Sequence, residues 1–221
     1  MIFDSFLKCL KTKFKDNEII SRELDTIDSD LVPIYNSVMT DFNRDLLYKS
    51  EMHGFNHNVR VSLFVLILSS SESITKEDLA ILLEAAKYHD TGRNNDNDDI
   101  EHGHRSASII SFLSTKYSEE DMAYLKAIVE AHSIPDSDKD KMIPKYKLQD
   151  VNRYHRLLDV LKDSDALDRV RNDDLDPRFL RTGRAKELVS FAYELFNIYG
   201  NIFDSGKKRV YKRQKPKSNK E

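Results

Sequence analysis

Helical periodicity with few interruptions is the feature that most constrains the fold of this chain. Apolar residues recur three and four positions apart along most of its 221 residues, and only six Gly and five Pro interrupt the pattern. This spacing places apolar side chains on one face of a helix, whereas a half-buried strand would alternate. Two such stripes are Leu31, Ile34, Tyr35, Val38 and Phe42, and Ala185, Leu188, Val189, Ala192, Leu195 and Tyr199. The sequence therefore predicts an all-α fold.

The charge distribution divides the chain into an acidic body and a basic end. Residues 207–221 carry eight Lys or Arg and one Glu; this charge of +7, within a total of −3, leaves −10 for the rest. The basic segment contains Pro and Ser but no apolar periodicity, which is typical of disorder. We expect helices over 1–50 that pack on a main domain at 51–205, and a basic disordered tail at 206–221. Clusters of polar and turn-forming residues predict loops at 94–101, 133–147 and 171–184.

The acidic body disfavours extensive binding along a nucleic-acid backbone, which needs a positive folded surface. The basic tail could contact nucleic acid or another acidic surface, or only increase solubility. The longest nearly apolar run, at 61–68, is too short to cross a bilayer, and residues 1–13 lack the apolar core of a signal peptide. The single cysteine, Cys9, excludes an intramolecular disulfide. We therefore expect a cytoplasmic protein without a membrane partner.

The stretch AAKYHDTGR at 85–93 ends an apolar helix face with two ionisable residues. The apolar positions from Leu79 to Ala86 line one face, and the next two positions on that face are His89 and Asp90. Burying an isolated carboxylate is very costly unless it is paired or binds a metal. The sequence therefore predicts a cationic partner or a metal ion at this point.

Four further segments place metal-binding residue types at the inner end of an apolar helix face. These residues are His57, His102, His132, Asp165 and Asp168. A single inward histidine is more often a hydrogen-bonded core residue than a ligand, but five such segments together indicate one shared site. The lack of cysteine ligands argues against a structural zinc cluster. A mixed set of imidazoles and carboxylates suits a divalent Mn, Fe, Co, Ni or Zn ion, and the expected ligands are His57, His89, Asp90 and Asp165.

The order of these segments resembles that of the HD-domain superfamily of metal-dependent phosphohydrolases. The matching stretches are HNVRV, KYHDTGR, EHGHRSA, EAHS and DSDALDR, which run from His57 to Arg169. The resemblance implies an HD-domain helical bundle, here with additional N- and C-terminal helices. His57 is preferred to His53 because the family's first histidine precedes a helix of the type HxxRV. Asp163 and Asp168 are then expected to form hydrogen bonds or to pair with arginine. The metal ligands that the resemblance implies are His57, His89, Asp90 and Asp165.

The resemblance also implies hydrolysis of a phosphate ester or anhydride in a small nucleotide-type substrate by metal-activated water. Asp90 would bridge the ion and orient the water. His102 and His132 would protonate the leaving oxygen, or support other residues through hydrogen bonds. His102 matches the family's HxxxSA pattern better than His104 does. One ion is expected, and a second stays open because dinuclear relatives often have a doubled histidine where this chain has Ala131-His132.

Three arginines are candidates for binding the substrate phosphate. Arg93 follows HDTG, in the position where relatives have Lys or Arg. Arg60 lies one turn after His57 and could instead form a surface salt bridge. Arg181 and its neighbours in the LDPRFLRTGR segment could clamp a second phosphate or form structural ion pairs.

Two other functions stay open. The basic tail favours an HD nuclease that acts on DNA or RNA. A non-catalytic nucleotide-binding regulatory module would retain the pocket without hydrolysis, although the intact set of expected metal ligands argues against it. The helices at 1–50 and 185–200, outside the matching stretches, could form a homodimer interface or only pack on the core.

Overall fold

The computed structural model describes the backbone of residues 4–113 and 116–203 and the side chains of residues 7–112 and 116–198. Within these residues the chain forms eleven α-helices and no β-strand, which confirms the predicted all-α class. The helices are α1 (Asp4–Lys13), α2 (Glu18–Asp25), α3 (Val32–Thr40), α4 (Phe55–Ser69), α5 (Lys76–Tyr88), α6 (His102–Leu113), α7 (Glu119–Ala131), α8 (Met142–Tyr146), α9 (Val151–Leu167), α10 (Gly183–Glu187) and α11 (Val189–Phe203). Short 3-10 helices lie at 44–46, 136–141, 168–172 and 177–179. The predicted basic tail at 206–221 lies outside the described residues.

Polar side chains directly before several helices determine where those helices begin. Five of them accept a hydrogen bond from the backbone amide three residues later: Asn17 before α2, Thr75 before α5, Ser118 before α7, Asp150 before α9 and Thr182 before α10. Each bond satisfies an amide that has no partner within the first helical turn, and such a cap contributes about 0.5–2 kcal/mol. The starts of these helices are therefore encoded locally.

The helix α4 is buried on all sides and forms the centre of the bundle. Every residue from His57 to Ser69 is buried, and the helix packs against α5 and α9. α5 also contacts α3 and α7, and α6 packs along α7. The apolar run at 61–68 is thus the central core segment. Among the described helices, none combines the length and the apolar character that crossing a membrane requires.

The helices nearest the two ends of the described chain pack against this bundle. α3 contacts α5, and α2 contacts α11. Leu24, Tyr35 and Leu195 from these outer helices are completely buried and belong to the same apolar core as α4. The division of the chain at residue 50 and the formation of a homodimer stay predictions.

The segment 133–147, predicted to be a loop, contains helical structure instead. It forms a 3-10 helix followed by α8, which packs on α7. The Tyr146 hydroxyl donates to Glu130 at 2.6 Å, and the Tyr154 hydroxyl donates to the Lys139 carbonyl oxygen at 2.8 Å. Tertiary contacts therefore order a segment whose composition is typical of a loop.

Candidate metal centre

Five helix ends meet around a cluster of histidines and aspartates. α4 and α6 begin there, and α5, α7 and α9 end there. The cluster, called the His/Asp cluster below, consists of His57 in the first turn of α4, His89 and Asp90 directly after α5, His102 at the start of α6, His132 directly after α7 and Asp165 in the last turn of α9. The packing of the helices thus joins all the residues that the sequence assigned to metal binding or catalysis.

Two glycines allow these helix ends to approach closely. A Cβ atom at Gly92 would lie 2.5 Å from the Ser106 amide nitrogen and 2.6 Å from the His102 carbonyl oxygen. A Cβ atom at Gly103 would lie 2.7 Å from the Glu130 carbonyl oxygen. Only glycine, which has no Cβ, fits where backbones come so close. Gly92 therefore holds the turn after α5 against α6, and Gly103 holds α6 against α7.

Three histidines of the cluster donate their Nδ1 hydrogen to the carbonyl oxygen three residues earlier. These contacts join His89 to Ala86 at 3.1 Å, His132 to Val129 at 2.5 Å and His102 to Asp99. Because a carbonyl oxygen can only accept a hydrogen bond, Nδ1 must carry the proton. In the neutral imidazole, Nε2 then has a free lone pair, which is the form that binds metals.

The Nε2 atoms of the cluster face each other in two pairs. His57 Nε2 lies 3.2 Å from His89 Nε2, and His102 Nε2 lies 2.8 Å from His132 Nε2. Burial lowers the pKa of His89 to about 3 and also lowers the pKa of His132, so both are neutral near pH 7. Two facing lone pairs repel each other unless a proton or a metal ion lies between them. The geometry therefore requires positive charge within each pair.

His57 is held in place by a buried carboxylate. Its Nδ1 donates to Asp168 at 2.7 Å, and Arg60 donates to the same carboxylate at 2.5 and 2.8 Å. Burial alone would raise the pKa of Asp168, but Arg60 and His57 lower it to about 2. A charged carboxylate in this position orients a metal-binding imidazole and increases its basicity. The expectation that Asp168 pairs with an arginine is confirmed.

The carboxylates around His57 draw positive charge into the cluster. Burial and the charge of Arg171 lower the pKa of His57, but hydrogen bonds to three carboxylates, led by Asp165, outweigh both and raise it to about 9. Where no other cation is bound, His57 is therefore protonated near neutral pH. A metal ion at Nε2 would replace this proton.

Four residues of the cluster form a cage, called the metal cage below: His57, His89, Asp90 and Asp165. The facing imidazole nitrogens are 3.2 Å apart, and Asp90 Oδ2 lies 3.5 and 3.6 Å from them. Asp165 Oδ1 lies 3.3 and 3.8 Å from the same nitrogens. Ligand atoms that bind one ion at about 2.1 Å are roughly 3.0–3.4 Å apart. Groups within this cage, such as His57, His89 and Asp165, could therefore hold a metal ion. That His57, His89, Asp90 and Asp165 all bind one ion stays a prediction.

Asp90 connects the metal cage to the other two histidines of the cluster, His102 and His132. Its Oδ1 is 3.0 Å from His102 Nε2 and 3.8 Å from His132 Nε2, and Arg93 Nε donates to the same oxygen at 2.8 Å. Burial alone would raise the pKa of Asp90, but the surrounding histidines hold it well below its usual range. The carboxylate is therefore charged and can contact a cation on each side.

His53 contacts the cluster although the sequence patterns assigned it no role. Its Nδ1 lies 2.9 Å from Asp90 Oδ2, and His53, His57 and Asp90 have a spacing that could hold an ion. His53 precedes the first residue of α4, so helical periodicity gives it no face. The available signal was the repetition of histidine at positions 53 and 57, one helical turn apart.

Arg171 is a second residue near the cluster that the sequence patterns did not indicate. It lies in the 3-10 helix that follows α9, and its side chain is only 7% exposed. Its Nη2 lies 3.4 Å from His53 Nδ1, and its Nη1 lies 3.5 Å from Asp168 Oδ2. Its position three residues after Asp168 was the available signal, since that spacing returns a side chain to the same side of a helical turn.

Two of the three expected phosphate-binding arginines touch the cluster or its support. Arg93 borders the cluster through Asp90 and also donates to the Asn97 carbonyl oxygen at 3.2 Å. Arg60 is buried and forms an ion pair with Asp168. A salt bridge was the alternative prediction for Arg60, but this one lies in the interior rather than on the surface. The structure thus brings Arg93 to the site and places Arg60 behind His57.

Arg181 lies in a separate group of charges. Its guanidinium donates to Asp136 at 2.9 and 3.1 Å and to Asp163 at 3.3 Å, and its backbone amide donates to Asp163 at 2.9 Å. Arg181 therefore forms structural ion pairs, which was the alternative prediction for this residue. They also confirm that Asp163 pairs with an arginine.

Comparison of the chain with known protein-family models, curated proteins and solved structures gave no match. The resemblance to HD-domain phosphohydrolases therefore rests on the sequence motifs. The structure adds buried His and Asp groups whose spacing suits a metal ion.

Proposed function

We propose that the chain is an HD-type metal-dependent phosphohydrolase or phosphodiesterase. Its substrate would be a phosphate ester or anhydride of a small nucleotide-type molecule, a class taken from the motif resemblance. One observation carries the proposal: on each side of Asp90, two imidazole Nε2 atoms face each other at 2.8 to 3.2 Å. Imidazole nitrogens meet in this way around a proton or a metal ion, and a divalent cation beside a carboxylate and an arginine is suited to phosphoryl chemistry.

We infer that the site holds two ions, one on each side of Asp90. The metal cage would hold the first, and Asp90 Oδ1, His102 Nε2 and His132 Nε2 would hold the second. Because their Nδ1 hydrogens are used by carbonyl oxygens, His102 and His132 are better suited to bind an ion than to protonate a leaving oxygen. A bound Mn, Fe, Co, Ni or Zn ion would lower the pKa of a water molecule and polarise a phosphoryl oxygen.

The side chains around the metal cage can orient the reactants. The charged Asp90 carboxylate can accept a hydrogen bond from water and so fix its direction. Arg93 places positive charge beside Asp90 Oδ1, where it can contact a phosphoryl oxygen as negative charge develops. Asp168 and Arg60 keep the His57 ring in place from behind.

Metal content and hydrolysis, measured together, test this proposal. Wild type and Asp90→Ala would be offered Mn, Fe, Co, Ni or Zn and analysed by mass spectrometry. Both would then be assayed on nucleoside mono-, di- and triphosphates, cyclic nucleotides, and short DNA and RNA. We expect about two ions per wild-type chain, and loss of both metal and hydrolysis in Asp90→Ala, because one carboxylate serves both ions.

A histidine outside the cluster provides the control. His155 is partly exposed and contacts Asp140 at 2.7 Å, so His155→Ala should match wild type in metal content and rate. A wild type that binds no metal would contradict the proposal. Metal binding without hydrolysis would favour the regulatory module, and hydrolysis confined to DNA or RNA would favour the nuclease.

A further inference from the structure

A buried guanidinium with too few acceptors lies beside the metal cage. The Arg171 side chain is 7% exposed, and within the described part of the chain its Nε and Nη1 atoms have no hydrogen-bond partner. A buried charge is very costly unless it is paired and hydrogen-bonded. Most arginine donors in protein interiors are accordingly satisfied.

Neither neighbour of Arg171 accepts a hydrogen bond from its Nε or Nη1 atom, although Asp168 lies close enough for an ion pair. His53 Nδ1 lies 3.4 Å from Nη2 but only 2.9 Å from the charged Asp90 carboxylate. Because that carboxylate can only accept, His53 Nδ1 carries a hydrogen and cannot accept one from Arg171. Asp168 Oδ2 lies 3.5 Å from Nη1, and the Asp168 carboxylate already receives three shorter hydrogen bonds from other side chains. The guanidinium therefore has donors left for an anion.

We propose that Arg171 binds a phosphoryl oxygen of the substrate, on the opposite side of Asp90 from Arg93. This inference rests on the proposed function. Arg93 contacts Asp90 Oδ1, whereas Arg171 lies beside His53, which contacts Asp90 Oδ2. An anion at the metal cage would thus meet a guanidinium from each side. The planar fork of arginine donors matches the oxygens of a phosphate group.

Two guanidiniums favour a terminal phosphate over a phosphodiester. A terminal phosphate has about −1.5 to −2 charges near pH 7 and three acceptor oxygens. A phosphodiester has a single charge and only two such oxygens. Arg171 would therefore direct the enzyme towards phosphate monoesters and the ends of phosphate anhydrides.

Phosphate titration of matched arginine variants tests the inference. Arg169 provides the control because it lies in the same 3-10 helix but is 53% exposed and pairs with Asp174. Inorganic phosphate would be titrated calorimetrically into metal-loaded wild type, Arg171→Gln, Arg171→Lys and Arg169→Gln. We expect Arg171→Gln to bind phosphate about 10–100-fold more weakly, which is the usual effect of one charge-assisted hydrogen bond. Arg171→Lys should recover part of the affinity, and Arg169→Gln should match wild type.

Thermal unfolding and metal content separate a binding role from a structural one. If Arg171 binds the substrate, phosphate affinity falls while the unfolding midpoint and the metal content are retained. A fall of all three in both Arg171 variants would overturn the inference, as would unchanged affinity in Arg171→Gln or a wild type that binds no phosphate.

Substrate preference supplies a second readout. For Arg171→Gln, kcat/KM for p-nitrophenyl phosphate should fall at least about 10-fold more than kcat/KM for bis(p-nitrophenyl) phosphate. Equal losses on both substrates would contradict the selection of a terminal phosphate.

The two proposals can fail separately. If Arg171→Gln kept metal-dependent hydrolysis and bound phosphate normally, only the proposed role of Arg171 would be wrong. Conversely, if wild type held no metal, weaker phosphate binding to metal-free Arg171→Gln would still support an anion site.

Discussion

Asp163 and Asp165 lie two residues apart on α9, so they leave the helix on nearly opposite sides, and they meet opposite kinds of partner. Asp163 is completely buried and accepts hydrogen bonds from the backbone amides of Arg181 and Thr182 at 2.9 and 2.8 Å. Asp165 is 30% exposed, and its Oδ1 lies 3.3 Å from His57 Nε2 and 3.8 Å from His89 Nε2. The Arg181 guanidinium also donates to Asp163, at 3.3 Å.

The difference between these two regions lies in the balance of donors and acceptors. Around Asp163 every acceptor meets a donor, and the carboxylate simply joins α9 to the start of α10. Around Asp165 the carboxylate meets two nitrogens that share at most one proton. A buried charge alone therefore does not identify a functional site, whereas a shortage of donors among buried acceptors indicates where a cation binds.

Asp165→Asn should produce the largest effect, because it removes a charged ligand from the metal cage. Even residues that only support a ligand change metal affinity by about 10–100-fold. We therefore expect at least about a 100-fold loss of hydrolysis, together with loss of the ion from the metal cage. Mass spectrometry and kcat/KM provide the measurement. If this variant kept its full metal content, Asp165 would not be a metal ligand, and it would not differ from Asp163 in this respect.

His102→Gln should have the next largest effect, because it disrupts the second pair of facing imidazoles. We expect metal content to fall by one ion per chain and the rate to fall about 10–100-fold. His104→Gln is the matched control, since His104 is mostly exposed and contacts Glu130 at 3.4 Å. Loss of metal in His104→Gln rather than in His102→Gln would reverse the assignment of these two residues.

Asp163→Asn should lower stability without affecting the metal. An amide in place of the carboxylate loses charge-assisted bonds and directs an NH2 group at donors, which costs about 1–3 kcal/mol. Urea unfolding measures the change in the free energy of unfolding, and the metal content should equal that of wild type. The control is Asp159→Asn on the same helix. Burial raises the pKa of Asp159, so neutralising it should change stability by less than about 0.5 kcal/mol or increase it.

Removing the charge of Asp136, which also pairs with Arg181, should have the smallest effect. Burial alone would raise the pKa of Asp136, but Arg181 and Lys162 lower it to about 2, from an ordinary value of 3.8. Asp136 therefore stabilises the fold above its ordinary pKa, and this contribution is lost as the pH falls towards 2. Its side chain is 48% exposed, so the contribution is less than about 1 kcal/mol.

Urea unfolding between pH 5 and pH 2 would measure this contribution. The Asp136→Asn variant should lose less stability than wild type over that interval. An identical pH dependence in the two proteins would show that the ion pair has no net effect.

The sequence by itself determined the fold class and indicated every member of the His/Asp cluster. Helical periodicity is a local property, with 3.6 residues per turn, so apolar stripes reveal which positions face inward. His57, His89, Asp90 and Asp165 each stand where such a stripe meets a helix end, and the structure brings all four together. The capping residues at the starts of α5, α7 and α9 are also a local signal, because each one bonds to an amide only three residues away.

The tertiary structure alone decided which side chains complete the site and which only support it. His53 and Arg171 reach the cluster from a turn and a 3-10 helix, where the 3.6-residue period assigns no face. Arg60 and Arg181, which looked like phosphate ligands, are instead paired with Asp168 and with Asp136 and Asp163. A side chain's partner depends on how helices distant in sequence pack together, and local periodicity carries no information about that packing.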